Sequence, residues 1–202
     1  MDVFNNLSYY SYPAFMQLME KLVADGLFTG DVKGDDFIFW TKLSLQRLQR
    51  WEKTLTISDE AIAEAKKAQP QIWWVITESW CGDAAQTLPV MVKMVEASGG
   101  NIELRLILRD TNPQIMDKYL TNGGRSIPIL IAVSNATGEE LFHWGPRPSI
   151  PQAMMMNWRR DNNGQSFLDI EKEIHGWYAK DKGVTFQAEI LRLMRSVIIS
   201  QG

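Results

Sequence analysis

The sequence predicts an α/β fold: segments with helical spacing come first, a β-α-β-α-β-β succession follows, and further helical segments close the chain. Two observations carry that class. The run Ile72-Trp73-Trp74-Val75-Ile76-Thr77 is too compact for a helix and apolar on both faces, as a central buried strand is. Three more strand-like segments follow it, separated by turn signals and helical patterns. With 202 residues and 45% hydrophobic content, the chain can bury a good core.

Taken in order, Phe15, Leu18, Met19, Leu22 and Val23 recur at helical spacing until Gly26 stops the pattern. The stretch GDVKGDD is a turn, and Leu43, Leu45, Leu48 and Trp51 place a second helix over Trp40 to Trp51. Ser58 suits an N-cap, with Ala61, Ile62, Ala65 and Ala68 running up to Pro70. After the central strand, a helix is expected from Ala84 to about Ala97, with Leu88, Val92 and Val95 inward and Gly99-Gly100 ending it. Ile102 to Leu108 alternates as a second strand, Pro113 to Leu120 reads as a short helix, and Ile129 to Val133 is a third strand. The turn Asn135-Ala136-Thr137-Gly138 leads into Glu140 to Trp144, a hairpin partner. Pro151 suits the first turn of a helix through Arg159, Asp161 to Gly164 breaks it, and amphipathic patterns over Phe167 to Tyr178 and Phe186 to Ile199 flank Asp181-Lys182-Gly183. This reads as a single domain over 1–202, with a helical extension (1–69), a core (70–160) and C-terminal helices (161–202).

Charge narrows the function. The formal net charge is -3, with 21 Lys+Arg against 24 Asp+Glu, so no overall pull toward nucleic acid is expected. No apolar run approaches the roughly 18 residues of a membrane span, and the first residues lack the pattern of a signal peptide, so a cytoplasmic protein with no membrane partner is expected. Cys81 is the one cysteine, which rules out an internal disulfide and a multi-cysteine metal site. No metal site is assigned. Glu171 and His175, at i,i+4 spacing, read as a helix-surface pair, and Met154-Met155-Met156 as packing.

Cys81 lies between the central strand and the following helix. A thiol there sees the positive end of the helix dipole and free N–H groups, which favour thiolate. Gly82 permits a tight turn, and Asp83 is a candidate cap whose charge pushes the thiol the other way. A lone buried cysteine is otherwise a small packing residue.

The sequence Trp80-Cys81-Gly82-Asp83-Ala84 after an apolar strand resembles the active-site motif of thioredoxins, of Trp-Cys-Gly-X-Cys type. Asp110-Thr111-Asn112-Pro113 is similar to the thioredoxin Asp-X-Asn-Pro step, and Arg125-Ser126-Ile127-Pro128 to the loop carrying its cis-proline. These landmarks cover about residues 70 to 150, and the long N-terminal helical segment is similar to that of a bacterial thioredoxin-like group. The resemblance implies a thioredoxin-like fold, a central mixed sheet flanked by helices, with extra N- and C-terminal helices. It also implies that Pro128 faces Cys81, that the backbone of Ile127 pairs with an extended substrate, and that Trp80 rims the thiol.

Three redox parts of the family are missing. Ala84 stands where the resolving cysteine belongs, Val75 where a buried acid assists proton transfer, and Leu106 where a lysine accompanies it. Glu78, Asp83 and Arg125 remain to tune Cys81, Arg125 by stabilising a thiolate, while the two acids also read as caps and surface charges. One expectation is a monothiol redox protein: Cys81 attacks a disulfide or peroxide and an external thiol resolves it, with no bound cofactor and with glutathione as a candidate co-substrate. Its partners are then a protein or peptide thiol or disulfide, or a small thiol. The alternative is a binding module that keeps Trp80, Gly82, Asp83, Arg125, Ser126, Ile127 and Pro128 as a groove for a peptide or protein and has left redox chemistry. An oligomer scaffold built on the Met-rich and C-terminal helices is a third.

Overall fold

The computed structural model describes residues 4, 7–161 and 164–200, with the side chains of 198–200 excepted. The expected first residues 1–3 and 5–6, the centre of the break at 162–163, and the side chain of Ile199 fall outside that range. Three helices come first: α1 (Tyr12–Asp25), α2 (Asp36–Thr54) and α3 (Asp59–Lys67). Ser11 caps α1 by accepting from the Ala14 N–H, Gly26 ends it at φ 65, and Ser58 caps α3 by accepting from the Ala61 N–H at 3.1 Å. Helix α2 starts at Asp36, earlier than the apolar spacing indicates, because an acid in the first turn favours the positive end of the dipole.

The core alternates as expected: β1 (Gln71–Thr77), α4 (Ala84–Ala97), β2 (Ile102–Leu108), the single turn α5 (Pro113–Met116), β3 (Ile129–Ser134) and β4 (Glu140–Trp144). The short helix stops at Met116 instead of Leu120, and Asp117 turns out of it to hold Arg125 through two hydrogen bonds. The sheet order is β2-β1-β3-β4, with β1 parallel to β2 and antiparallel to β3, and β3 antiparallel to β4. Strand β1 is therefore central, and its period-2 alternation splits the core. Trp73 and Val75 enter one apolar cluster with α1, α2, α4 and α8, whereas Trp74 and Ile76 enter another with Cys81, Ile115 and Ile129.

Helices α6 (Ser149–Asp161), α7 (Phe167–Asp181) and α8 (Val184–Ser200) complete the chain. Phe186, Ile190 and Met194 of α8 join the main core. Met155, Ile170, Ile174 and Tyr178 form a separate apolar cluster between α6 and α7, which lays α7 over the N-terminal end of α4. Among the described residues, no helix is long and apolar enough to cross a membrane.

Candidate functional site

The strand β1 delivers residues 78–83 to the start of α4, as the motif spacing expects, and Cys81 is 5% exposed. Its thiol donates to the Ile127 carbonyl oxygen at 3.4 Å, and the Ala84 N–H points back at Sγ at 3.4 Å. The Ile127–Pro128 peptide bond is cis. The thiol, the proline loop and the helix start thus meet at one point.

The electrostatics at that point oppose a thiolate. Burial pushes the Cys81 thiol up to about 12, with the Asp83 carboxylate pushing the same way against the Ala84 N–H and the Arg147 guanidinium. The sequence sets the Asp83 charge against the pull of the helix dipole and leaves the balance open, and burial adds a third influence that opposes the dipole. Desolvation outweighs it because the macrodipole carries only about half a charge and the sulfur is enclosed.

Asp83 is corrected from a cap to a buried anchor: it occupies the N-cap position of α4 without a side-chain cap hydrogen bond. Its carboxylate accepts from Arg147 Nη2 at 2.6 Å and from the Tyr178 hydroxyl at 2.9 Å. Glu78 is likewise buried, not a surface charge. Thr29 Oγ1 and the Asp110 N–H donate to its two oxygens, and burial still raises its carboxyl above the usual range. The loop after α1 grips the same segment, since Thr29 and Ser79 exchange N–H to hydroxyl hydrogen bonds and Trp80 Nε1 donates to the Thr29 carbonyl. The N-terminal extension therefore fixes the residues that lead into Cys81.

Arg125 is corrected too. It is exposed and paired with Asp117 at 2.6 Å, so the cation whose charge acts on Cys81 is Arg147. Spacing alone did not single out Arg147, although an arginine between Pro146 and Pro148 sits on a stiff backbone suited to presenting a long charged side chain. Trp80 is half-buried, with Phe37 edge-on at 5.1 Å and the Arg109 guanidinium 4.8 Å over its ring. Ser126 is half-buried beside it in the proline loop.

Glu171 and His175 do form the expected i,i+4 pair, but the pair faces inward instead of outward. His175 Nε2 lies 3.2 Å from Glu171 and 3.0 Å from Arg47 Nη1, while Nδ1 lies 3.2 Å from the Gln86 amide nitrogen. Gly82 has an ordinary φ; its role is close approach. A Cβ there would lie 2.8 Å from His175 Nε2 and 3.0 Å from Arg47 Nη1. Gly82→Ala is expected to shift His175 and lower stability by about 1 kcal/mol, read by urea unfolding; an unchanged midpoint would mean that α7 yields freely.

Trp80, Cys81, Gly82, Asp83, Arg147 and His175 are among the residues that line a groove of about 360 Å³, which Trp40, Phe167 and Met155 extend on its apolar side. Among the described residues, no group of three or more histidines, cysteines or acids is arranged to hold a metal. The family model of thioredoxin matches residues 35–159, over β1, the Cys81 segment and the proline loop. The chain belongs to a thioredoxin family. This thioredoxin-family chain also resembles the crystal structure of a protein of unknown function from Pseudomonas aeruginosa, with TM-score 0.56 and 15% identity over 93% of this chain and 98% of that one. A crystal structure of an HIV 4E10 epitope-scaffold is similar at TM-score 0.51 and 18% identity, over 93% of this chain and 99% of that one. Both likenesses concern the fold. No curated protein matches the chain. Against the thioredoxin pattern, Val75 and Leu106 are register partners in β1 and β2 and both are fully buried, so an apolar pair fills the place of the family's acid and lysine.

Proposed function

We propose that the protein is a thioredoxin-fold binding module, which holds an extended peptide segment of a partner protein in the groove between Trp80, the Ile127–Pro128 loop and α7. The observation that carries this reading is the state of Cys81. A thiol pushed up to about 12, donating to Ile127 and enclosed beside Asp83, holds its proton at neutral pH and is a poor nucleophile. Ala84 in place of a second cysteine and the apolar Val75–Leu106 pair agree with it. Trp80, Gly82, Ser126 and Ile127 then form recognition surface, with Asp83 holding α7 and the proline-flanked loop in position.

Monothiol exchange remains the competing chemistry, favoured by the Ala84 N–H and Arg147 near the sulfur. In it, Cys81 thiolate attacks a disulfide, releases one thiolate, and is freed when an external thiol displaces the mixed disulfide. Selecting a phage-displayed peptide library separately on the wild-type protein and on Cys81→Ser separates the two. The binding module enriches the same peptide families on both, and glutathione disulfide leaves the wild-type mass unchanged. Enrichment lost on Cys81→Ser, or reversible glutathionylation of Cys81, would return the protein to monothiol exchange.

A further inference from the structure

We infer that the groove selects acidic segments: its occupant is an extended stretch of a partner protein in which carboxylates alternate with apolar side chains. The inference rests on the binding reading above and names its ligand class.

Half of the chain's arginines, Arg47, Arg109, Arg125, Arg147 and Arg159, line this one groove, and no lysine does. The acids on its walls are Asp83 and Glu171. Arg109 and Arg125 share charge with Asp110 and Asp117, and Arg147 with Asp83. Arg159 is exposed, and among the described residues neither it nor Arg47 has a carboxylate within ion-pair distance. This concentration stands out in a chain whose formal net charge is -3.

Donor counting around His175 points the same way. Trp51 Nε1 donates to the Gln86 carboxamide oxygen at 2.6 Å, which turns the amide nitrogen toward His175 Nδ1. That nitrogen donates, so Nδ1 accepts, and the proton of a neutral imidazole sits on Nε2, where Glu171 accepts it. Arg47 Nη1, 3.0 Å from the same Nε2, then meets a hydrogen and not a lone pair. In the opposite tautomer Nε2 accepts from Arg47, but the Gln86 amide hydrogen then meets the Nδ1 hydrogen and the Glu171 carboxylate meets a lone pair. Either way at least one donor of the cluster is left facing no acceptor. Arg147 adds another, because its Nε is buried without an acceptor among the described residues. Burial also pulls the Arg47 guanidinium down, against the attraction of Glu171 and Asp83. A groove rich in planar donors and short of acceptors suits carboxylates, which guanidinium groups engage through paired hydrogen bonds.

The apolar share of the lining decides between a peptide and a small polyanion. Phe37, Trp40, Trp80, Ile127 and Phe167 share the lining of the groove with the arginines. A compact anion would leave these rings uncovered, whereas a strand with acids on one edge and apolar side chains on the other covers both, beside a proline loop of the kind that receives extended chains.

The test measures fluorescence-anisotropy binding of a labelled octapeptide of alternating Glu and Leu to the full-length protein, against its Gln-Leu and Lys-Leu counterparts, with citrate as competitor. The Glu-Leu peptide is expected to bind at least about tenfold more tightly than the Gln-Leu peptide, and to weaken with added salt. Arg159→Glu, at an exposed site with no ion pair among the described residues, is expected to weaken it at least about tenfold and to improve Lys-Leu binding; Arg47→Met is a second variant with the same expected loss. Equal binding of the Glu-Leu and Gln-Leu peptides would overturn the acidic preference. Displacement by citrate at matched carboxylate concentration would overturn the peptide occupant. If the phage selection enriches neutral peptides on both wild type and Cys81→Ser, the binding reading stands and this inference alone falls.

Discussion

Alkylation of Cys81 by iodoacetamide at pH 7 is expected to run roughly a thousandfold slower in the folded protein than in the urea-unfolded chain. The unfolded thiol titrates near the ordinary cysteine value of about 8.5. The folded one is pushed up to about 12 by burial and by Asp83, so far less of it is thiolate at any pH between 7 and 10. Enclosure of the sulfur slows the reagent further. The measurement is the alkylation rate against pH by mass spectrometry, unambiguous because the chain has one cysteine. A rate that levels off below pH 8 would reverse the reading and make Cys81 a nucleophile. The same shift acts on stability. Below about 8.5 both states keep the proton and the full contribution is present; as pH rises toward about 12 the unfolded state ionises first, and stability falls by at most about 1.4 kcal/mol per pH unit. Cys81→Ala removes that slope, and comparing urea midpoints of the two proteins from pH 8 to 10.5 isolates it from other alkaline groups.

That outcome bears on how far a sequence discloses a site. The elements around Cys81 were legible because each announces itself locally: a two-faced apolar strand, a Gly-rich stop, a turn before β4. Trp80, Cys81, Gly82 and the proline loop were legible for the same reason, since the motif is contiguous in the chain. The character of the thiol was not. It depends on Asp83, whose partners Arg147 and Tyr178 lie on the loop before α6 and on α7, and on how closely α7 covers Gly82. Glu171 and His175 illustrate the limit. Their spacing fixes that they share a helix face, but the direction of that face is set by what packs on it, here Arg47 from α2 and Gln86 from α4. Arg125 shows the converse, because Asp117, freed by the early end of α5, draws it outward.

Arg147→Met is expected to lower stability by about 3–5 kcal/mol at pH 7.5, since it leaves the Asp83 carboxylate buried with only the Tyr178 hydroxyl as a strong partner. The side chain of Asp83 is 7% exposed and that of Arg147 is 12% exposed, so water cannot replace the lost guanidinium. Burial already raises the Asp83 carboxyl in the wild type, with Arg147 as the main opposing influence, and the variant raises it further. An acid whose folded value lies above its unfolded value, near 3.9, costs stability as pH climbs from the unfolded value to the folded one. The deficit against wild type is therefore smaller at pH 4.5 than at pH 7.5, because Asp83 takes up its proton at a higher pH in the variant than in the wild type. Urea unfolding at those two pH values reads the difference. The double variant Asp83→Asn with Arg147→Met should recover most of the loss, because removing both charges removes the unpaired one. A deficit equal at both pH values, or a double variant no more stable than Arg147→Met, would show that the pair acts by packing and not by charge. Removing Asp83 also takes away the second largest influence holding the proton on Cys81, so the double variant should alkylate faster than Arg147→Met alone. The two buried groups thus share one electrostatic arrangement: Asp83, which holds both Arg147 and the Tyr178 hydroxyl of α7, adds to the burial that keeps the proton on Cys81, while Arg147 opposes it.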